Sequence, residues 1–384
     1  MIQKRTIFED VSPGAAPAAP APQGAIDRGL DRGRRAVRAW LMVLFALVMI
    51  MIAVGGATRL TDSGLSITEW RPVTGALPPL SADAWAAEFD KYRAIPQYQL
   101  VNKGMSLSEF QFIYWWEWGH RQLGRLIGLV WAVGFVALWA TGRIPQGWRG
   151  RLLGLGALGG LQGAIGWWMV SSGLSGQMVS VASYRLATHL GLAFVILGLI
   201  AWYVLTLGRS EVDMLKARRG REARLFGMGT GLMHLAFLQI LLGALVAGID
   251  AGRAFPTWPD MNGQFFPANA FYVPDGPVWR AFFENEGLVQ FMHRMAGYLL
   301  AAFAIFAWWR ARASAHRATR AAFSAMLAIM AVQVGLGIVT VLSAAQVHVA
   351  LSHQICAVVL WVLILRARHF AGYPRAGSIA KGTA

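Results

Sequence analysis

Eight apolar runs, each close to the length that crosses a hydrocarbon core, leave this chain few folds to choose from. They fall roughly at 40–57, 115–140, 152–170, 185–207, 225–247, 288–309, 321–342 and 347–365. A bilayer requires about 20 apolar residues per span. Lipid offers no partner to an unpaired backbone amide, so repeated runs of this length imply helices. Composition agrees: 56% of the residues are hydrophobic and 14% charged, which excludes a soluble globular domain. The expected fold is an all-α polytopic membrane protein with eight transmembrane helices. The aromatic stretch from Ser106 to Gly119 is the ambiguous piece, because an interfacial course for it leaves seven spans.

The formal net charge of +16 acquires its meaning from where the charges lie. Arg28, Arg32, Arg34, Arg35 and Arg38 precede span 1, and Lys216, Arg218, Arg219, Arg221 and Arg224 separate spans 4 and 5. Arg310, Arg312, Arg317 and Arg320 separate spans 6 and 7, and Arg366 and Arg368 close span 8. The alternate loops are long with mixed charge or short with none. This is the positive-inside pattern. It puts both termini in the cytoplasm of a bacterium, in the inner (plasma) membrane, or in the matrix if the source is mitochondrial. The basic excess therefore meets anionic lipid headgroups, and a nucleic-acid partner is set aside. Residues 1–39, rich in Ala and Pro and then basic, lack an apolar core followed by a cleavage site and read as a disordered cytoplasmic tail. The single cysteine, Cys356, can form no internal disulfide and reads as a small apolar residue of span 8.

The chain also repeats itself. Thr61-Asp62-Ser63-Gly64 with Trp70, Gly75 and Pro79 matches Ile249-Asp250-Ala251-Gly252 with Trp258, Gly263 and Pro267. His120-Arg121 and Gly124 match His293-Arg294 and Gly297, Gln162 and Gly166 match Gln333 and Gly337, and Thr188-His189 matches Ser352-His353. The offsets shrink in order from 188 to 164, as a duplication with shortened loops requires. Each half holds an even number of spans, so both enter the membrane the same way round and the relating axis lies along the membrane normal. The expected organisation is two tandem four-helix bundles: 40–207 and 225–366, joined by a basic linker at 208–224 and followed by a tail at 367–384. The matching histidines then share one depth, near the outer ends of spans 2, 4, 6 and 8 and beneath the loops 60–110 and 250–286.

Imidazoles inside a membrane are costly and mark functional sites, and facing pairs of neutral imidazoles suit haem iron. The pairs His120/His189 and His293/His353 therefore read as two porphyrin sites. One turn beyond each stands a small residue, Gly124, Ala193, Gly297 or Ala357, leaving room for a flat macrocycle. His348, about 140° away from His353 around the helix at about 100° per residue, is the rival ligand in span 8. His316 and His369 lie in basic segments and read as solvated, and His234 reads as a packing or hydrogen-bonding residue. Glu117 shares the face of His120 and has Gln290 as its counterpart. Among Trp115, Trp116 and Trp118 its ionised form would be disfavoured by desolvation, making it a candidate proton acceptor; the alternative is a carboxylate that merely ends a span. Arg121, Arg185 and Arg294 offer guanidinium forks to haem propionates, or else snorkel to the interface.

The Glu-x-x-His opening span 2, the histidine of span 4, the His-Arg-x-x-Gly of span 6 and the histidine of span 8 resemble haem A synthase. Thr58-Arg59-Leu60-Thr61-Asp62-Ser63-Gly64-Leu65-Ser66 and Trp70-Arg71-Pro72-Val73-Thr74-Gly75 resemble that family's first external loop. The likeness runs from about residue 40 to 366, and the absence of paired loop cysteines matches the cysteine-less proteobacterial and mitochondrial class. The resemblance implies an oxidoreductase that converts the C8 methyl of haem O to a formyl group by two hydroxylations and loss of water from the gem-diol. It implies Glu117 as the catalytic carboxylate, His120 and His189 on the substrate haem, and His293 and His353 on a haem b cofactor. It also implies a haem O synthase as supplier, an electron acceptor or donor of unassigned class, and cytochrome oxidase assembly factors downstream; self-association is left open. Two readings of other kinds compete. A di-haem b-type cytochrome would spread its haems over both depths, and a haem transporter or chaperone would hold one exchangeable haem without a catalytic carboxylate.

Overall fold

The computed structural model describes residues 25–375 except 275, with the backbone alone for 25–30. The first 24 residues of the expected tail, and 376–384 of the C-terminal one, lie outside the described residues. Eight long apolar helices span the molecule: α1 Ala25–Leu60, α2 Leu107–Ala140, α3 Arg149–Val170, α4 Ser183–Leu207, α5 Ala223–Gly248, α6 Glu286–Ala311, α7 Arg317–Leu342 and α8 Val347–Gly372. The described chain has no strand. The aromatic stretch before Gly119 is part of α2, so the described residues form eight helices of spanning length and not seven. A capping box fixes where α2 begins: Ser106 Oγ accepts from Glu109 N at 3.3 Å, and Glu109 Oε2 accepts from Ser106 N at 2.7 Å. Asn285 caps α6 through Leu288 N at 2.9 Å.

Three boundaries differ from the sequence reading. Residues 25–39 are helical and continuous with the first span, because their arginines find acceptors. Arg34 donates to Leu207 O at 3.1 Å and Arg38 to Val204 O at 3.2 Å, carbonyls at the unsatisfied C-terminal turn of α4. The linker contains a helix, Glu211–Arg219, capped by Ser210. Helix α8 continues through the basic segment to Gly372.

Helices α1, α4, α5 and α8 pack on one another, with α2 and α3 laid against the first two and α6 and α7 against the last two. One continuous apolar core results, in which Phe194 and Leu197 of the first half share an interior with Leu232, Phe323 and Trp361 of the second. Polar contacts cross the same seam. Gln354 Nε2 donates to Ile52 O at 2.7 Å beside Gly56, where any Cβ would collide with the glutamine, and Trp361 Nε1 donates to Phe194 O at 3.1 Å.

Both long loops emerge at one end of the helices. The first contains helices Ala82–Arg93 and Pro96–Leu100, whose Phe89 and Tyr92 pack on Phe110, Ile113 and Tyr114 of α2. The second, from Ile249 to Asn285, is mostly irregular. Each opens on an aspartate in the left-handed region, Asp62 at φ 52° and Asp250 at φ 54°, a conformation that aspartate tolerates better than most residues. Arg59 joins the two turns, reaching Asp62 at 2.8 Å and Asp250 at 2.7 Å.

Candidate porphyrin sites

The four repeat histidines come near one another in two pairs, His120 with His189 and His293 with His353. Each imidazole lies against a glycine of the preceding long helix. A Cβ on Gly55 would stand 3.0 Å from His120 Cε1, and one on Gly166 2.9 Å from His189 Cε1. Gly243 meets His293 at 3.0 Å and Gly337 meets His353 at 3.1 Å in the same way. Helices α1, α3, α5 and α7 thus supply one notch each, and α2, α4, α6 and α8 supply the rings. All four histidines are part-buried. Nδ1 of His120 and of His293 is buried without a hydrogen-bond partner. Paired, notched imidazoles with orphaned ring nitrogens fit axial ligation of a porphyrin iron. Among the described residues no group of three or more His, Cys, Asp or Glu could hold a bare metal ion.

The small residues one turn beyond the histidines do something other than expected in two places. The space at Gly124 is filled by Met51, whose Cε lies 3.5 Å from a Cβ built there, and the space at Gly297 by Gln239, whose Nε2 lies at 3.1 Å. Side chains of α1 and α5, not empty room for a macrocycle, border these glycines. Gln239 is a residue that sequence comparison missed, together with Gly55 and Gly243. Gln239 precedes Gly243 by four, as Gln162 precedes Gly166 and Gln333 precedes Gly337, and that spacing was the available signal.

Glu117 sits in surroundings unlike the indole-lined apolar ones anticipated. It is buried, and both its oxygens are engaged. Ser66 Oγ and Ile67 N donate to Oε2 at 2.8 and 2.9 Å, and Arg121 donates to Oε1 from Nε at 3.1 Å and Nη2 at 2.6 Å. Arg121 also donates to Ile67 O at 2.9 Å and Glu69 O at 3.1 Å. The first loop is thereby pinned over the end of α2. The second half repeats the device with an amide. Gln290 Oε1 accepts from Arg294 at 3.0 Å while its Nε2 donates to Ala251 O at 2.8 Å, and Arg294 donates to Phe255 O, Thr257 O and Asp260 O. Arg185 donates to Trp168 O at 2.6 Å and lies over that indole. Most of the forks assigned to propionates or to snorkelling therefore hold backbone carbonyls, although Nε of Arg185 and of Arg294 remains buried and unpartnered.

The remaining histidines separate clearly. His348 is exposed and, unlike His353, meets no glycine notch. His234 faces outward with Nδ1 3.0 Å from Thr230 O, and His316 is part-buried at the start of α7. His369 is not solvated: it is 1% exposed, with its ring 5.0 Å from Trp202 and 5.2 Å from Tyr373. The extension of α8 buries it against α4, which the basic composition of the segment hid.

The model of the family described as cytochrome oxidase assembly protein matches residues 38–365. A haem A synthase of Cereibacter sphaeroides is 65% identical over 390 aligned residues, covering 100% of this chain and 99% of its own. One from Paracoccus denitrificans is 63% identical over 380 residues, covering 99% of each, and one from Roseobacter denitrificans is 60% identical over 385, covering 100% of each.

Proposed function

The chain belongs to the cytochrome oxidase assembly protein family and functions as a haem A synthase, a multi-pass membrane enzyme of haem A biosynthesis; on that premise we propose that it oxidises the C8 methyl of haem O to a formyl group. The observation that carries this reading is the imidazole-on-glycine notch repeated four times in two pairs, with a carboxylate beside the first pair only. His120 and His189 hold the substrate iron. Glu117, one turn before His120 and paired with Arg121, stands beside the first site, where it is placed to accept a proton or to steady positive charge developing at the methyl carbon. In the second half an amide does the loop-holding, against a carbonyl in place of donors.

His293 and His353 fit a haem b, which when bound supplies electron transfer. Arg185 and Arg294 each keep one N–H for a propionate, and Arg121 acts through Glu117 and the first loop. The basic segments face the cytoplasm of a bacterial inner membrane, with both sites toward the opposite face, anionic lipid around them, a haem O synthase as supplier and oxidase assembly as destination.

Extraction and chromatography of bound porphyrins test the assignment. Purified protein should yield haem B together with haem O or A. His120→Ala should lose the O/A fraction and His293→Ala the B fraction. Haem B alone in wild-type protein would favour an electron-transferring di-haem cytochrome and overturn the reading.

A further inference from the structure

The interior face of the third helix in each half is built to a different size. On α3 this face carries Gly156, Gly159, Gln162, Gly163 and Gly166; in register on α7 it carries Leu327, Met330, Gln333, Val334 and Gly337. Spacings of three and four keep each set on one side of its helix. Gly166 and Gly337 mark that side as the one facing a site histidine, His189 or His353. In the second half the space beneath the notch is filled. Met330 is 3% exposed, and Leu327 and Val334 pack on the same apolar core. In the first half it is filled at one level only. Trp131 of α2 lies against Gly156, its Nε1 donating to Leu152 O at 3.1 Å, while Ala304 stands at the matching place of α6. Large and small have changed places there. At Gly159 and Gly163 nothing makes up the difference, since a Cβ on either would meet no atom within 4 Å. Helix α3 also meets α2 and α4 less extensively than α7 meets α6 and α8.

A groove thus runs from the His189 notch toward the Arg149 end of α3, about 10 Å from Gly166 to Gly159 at about 1.5 Å per residue. Its floor is backbone, and the Trp131 indole closes its far end. Such a groove suits a slender apolar chain and is too narrow for a second ring system. Haem O differs from haem B by a chain of that kind, a long isoprenoid substituent on the ring. We propose that Gly159 and Gly163 take up the isoprenoid chain of the substrate porphyrin, and that Met330 and Val334 deny it room in the second half. The two histidine pairs are alike, so the space beneath them sorts the tailed substrate from the tail-less cofactor. This rests on the site assignments of the preceding section. It gives the duplicated bundles different porphyrins by exclusion as well as by fit.

The test is a titration of full-length purified protein, its second site loaded with haem B, with haem O and separately with further haem B. Binding of each porphyrin is followed by its change in absorption. Gly159→Met should weaken haem O binding about 10-fold, the low end of what one methylene decides in an apolar pocket. It should leave haem B binding at the first site at the wild-type value. Gly163→Val, a smaller filling, should act in the same direction and decides the matter alone if Gly159→Met does not fold. Equal weakening of haem O and haem B would make these glycines a matter of helix packing and overturn the proposal, as would unchanged binding of both. Haem O binding abolished by His293→Ala and kept in His120→Ala would overturn the site assignment, and the groove with it. Haem O binding abolished by His120→Ala but indifferent to Gly159→Met and Gly163→Val would overturn the groove alone.

Discussion

At the scale of single residues, the difference between Glu117 and Gln290 is matched by the loops above them. Glu117 faces donors, the N–H of Ile67 and the hydroxyl of Ser66, whereas Gln290 faces the carbonyl of Ala251. Exchanging carboxylate and amide therefore changes anchorage as well as charge. Glu117→Gln leaves the Arg121 fork facing a neutral partner, and breaking one side of a buried pair costs about 3–5 kcal/mol. The informative measurement is thus a ratio, haem A to haem O in extracted porphyrin, taken beside haem B content as a report on the fold. We expect Glu117→Gln to lower haem A formation on the order of 100-fold, a typical contribution of one acid–base group, with haem B retained. Undiminished haem A would remove Glu117 from the reaction. Equal loss of haem A and haem B would make it an anchor only.

At the scale of elements, each of the four glycine notches seats an imidazole of one helix against the backbone of its neighbour. A Cβ at Gly243 reaches His293 at 3.0 Å, closer than ordinary contact, whereas Gly159 in α3 has nothing within 4 Å. Gly243→Val should therefore cut bound haem B, since overpacking costs about 1–3 kcal/mol, and Gly159→Val should leave it unchanged. Haem B per mole of protein measures both, and equal loading in the two variants would refute the notch. These elements were only partly legible in the sequence. The repeat exposed Gln162, Gly166, Gln333 and Gly337 because their type and spacing survive in both halves. Gly55 and Gly243 escaped because glycine is common in membrane helices, and Met51 broke the match to Gln239. The start of α1 read as a tail because Ala, Pro and Arg look alike in linkers and interfacial helices. Only the carbonyls of α4, distant in sequence, distinguish the two. Burial of His369 was hidden for the same reason, since its partner Trp202 belongs to another helix.

At the scale of the whole molecule, the repeat and the packing make different demands. Duplication divides the chain into halves that each carry a complete histidine pair, yet the interior crosses that division. Trp361 reaches the carbonyl of Phe194, Gln354 that of Ile52, and Arg59 ties the turn at Asp62 to the turn at Asp250. Orientation is testable directly: green fluorescent protein fused after residue 384 should fluoresce, and alkaline phosphatase inserted near Pro267 should be active, as the positive-inside pattern requires. The reverse pair of results would invert the topology and carry both sites to the other face. Interdependence of the halves follows from the shared core. Severing the chain within Glu211–Arg219, a helix joining the halves at the basic end, leaves every crossing contact in place. The two fragments expressed together should copurify and hold haem B, because four apolar helices on each side already bring a complete notch pair. The C-terminal fragment expressed alone exposes the faces of α5 and α8 that α4 and α1 normally cover, and its haem B should be lost or sharply reduced. Full haem B in that isolated fragment would mean that each half is a self-sufficient bundle and that the shared interior contributes little to either site.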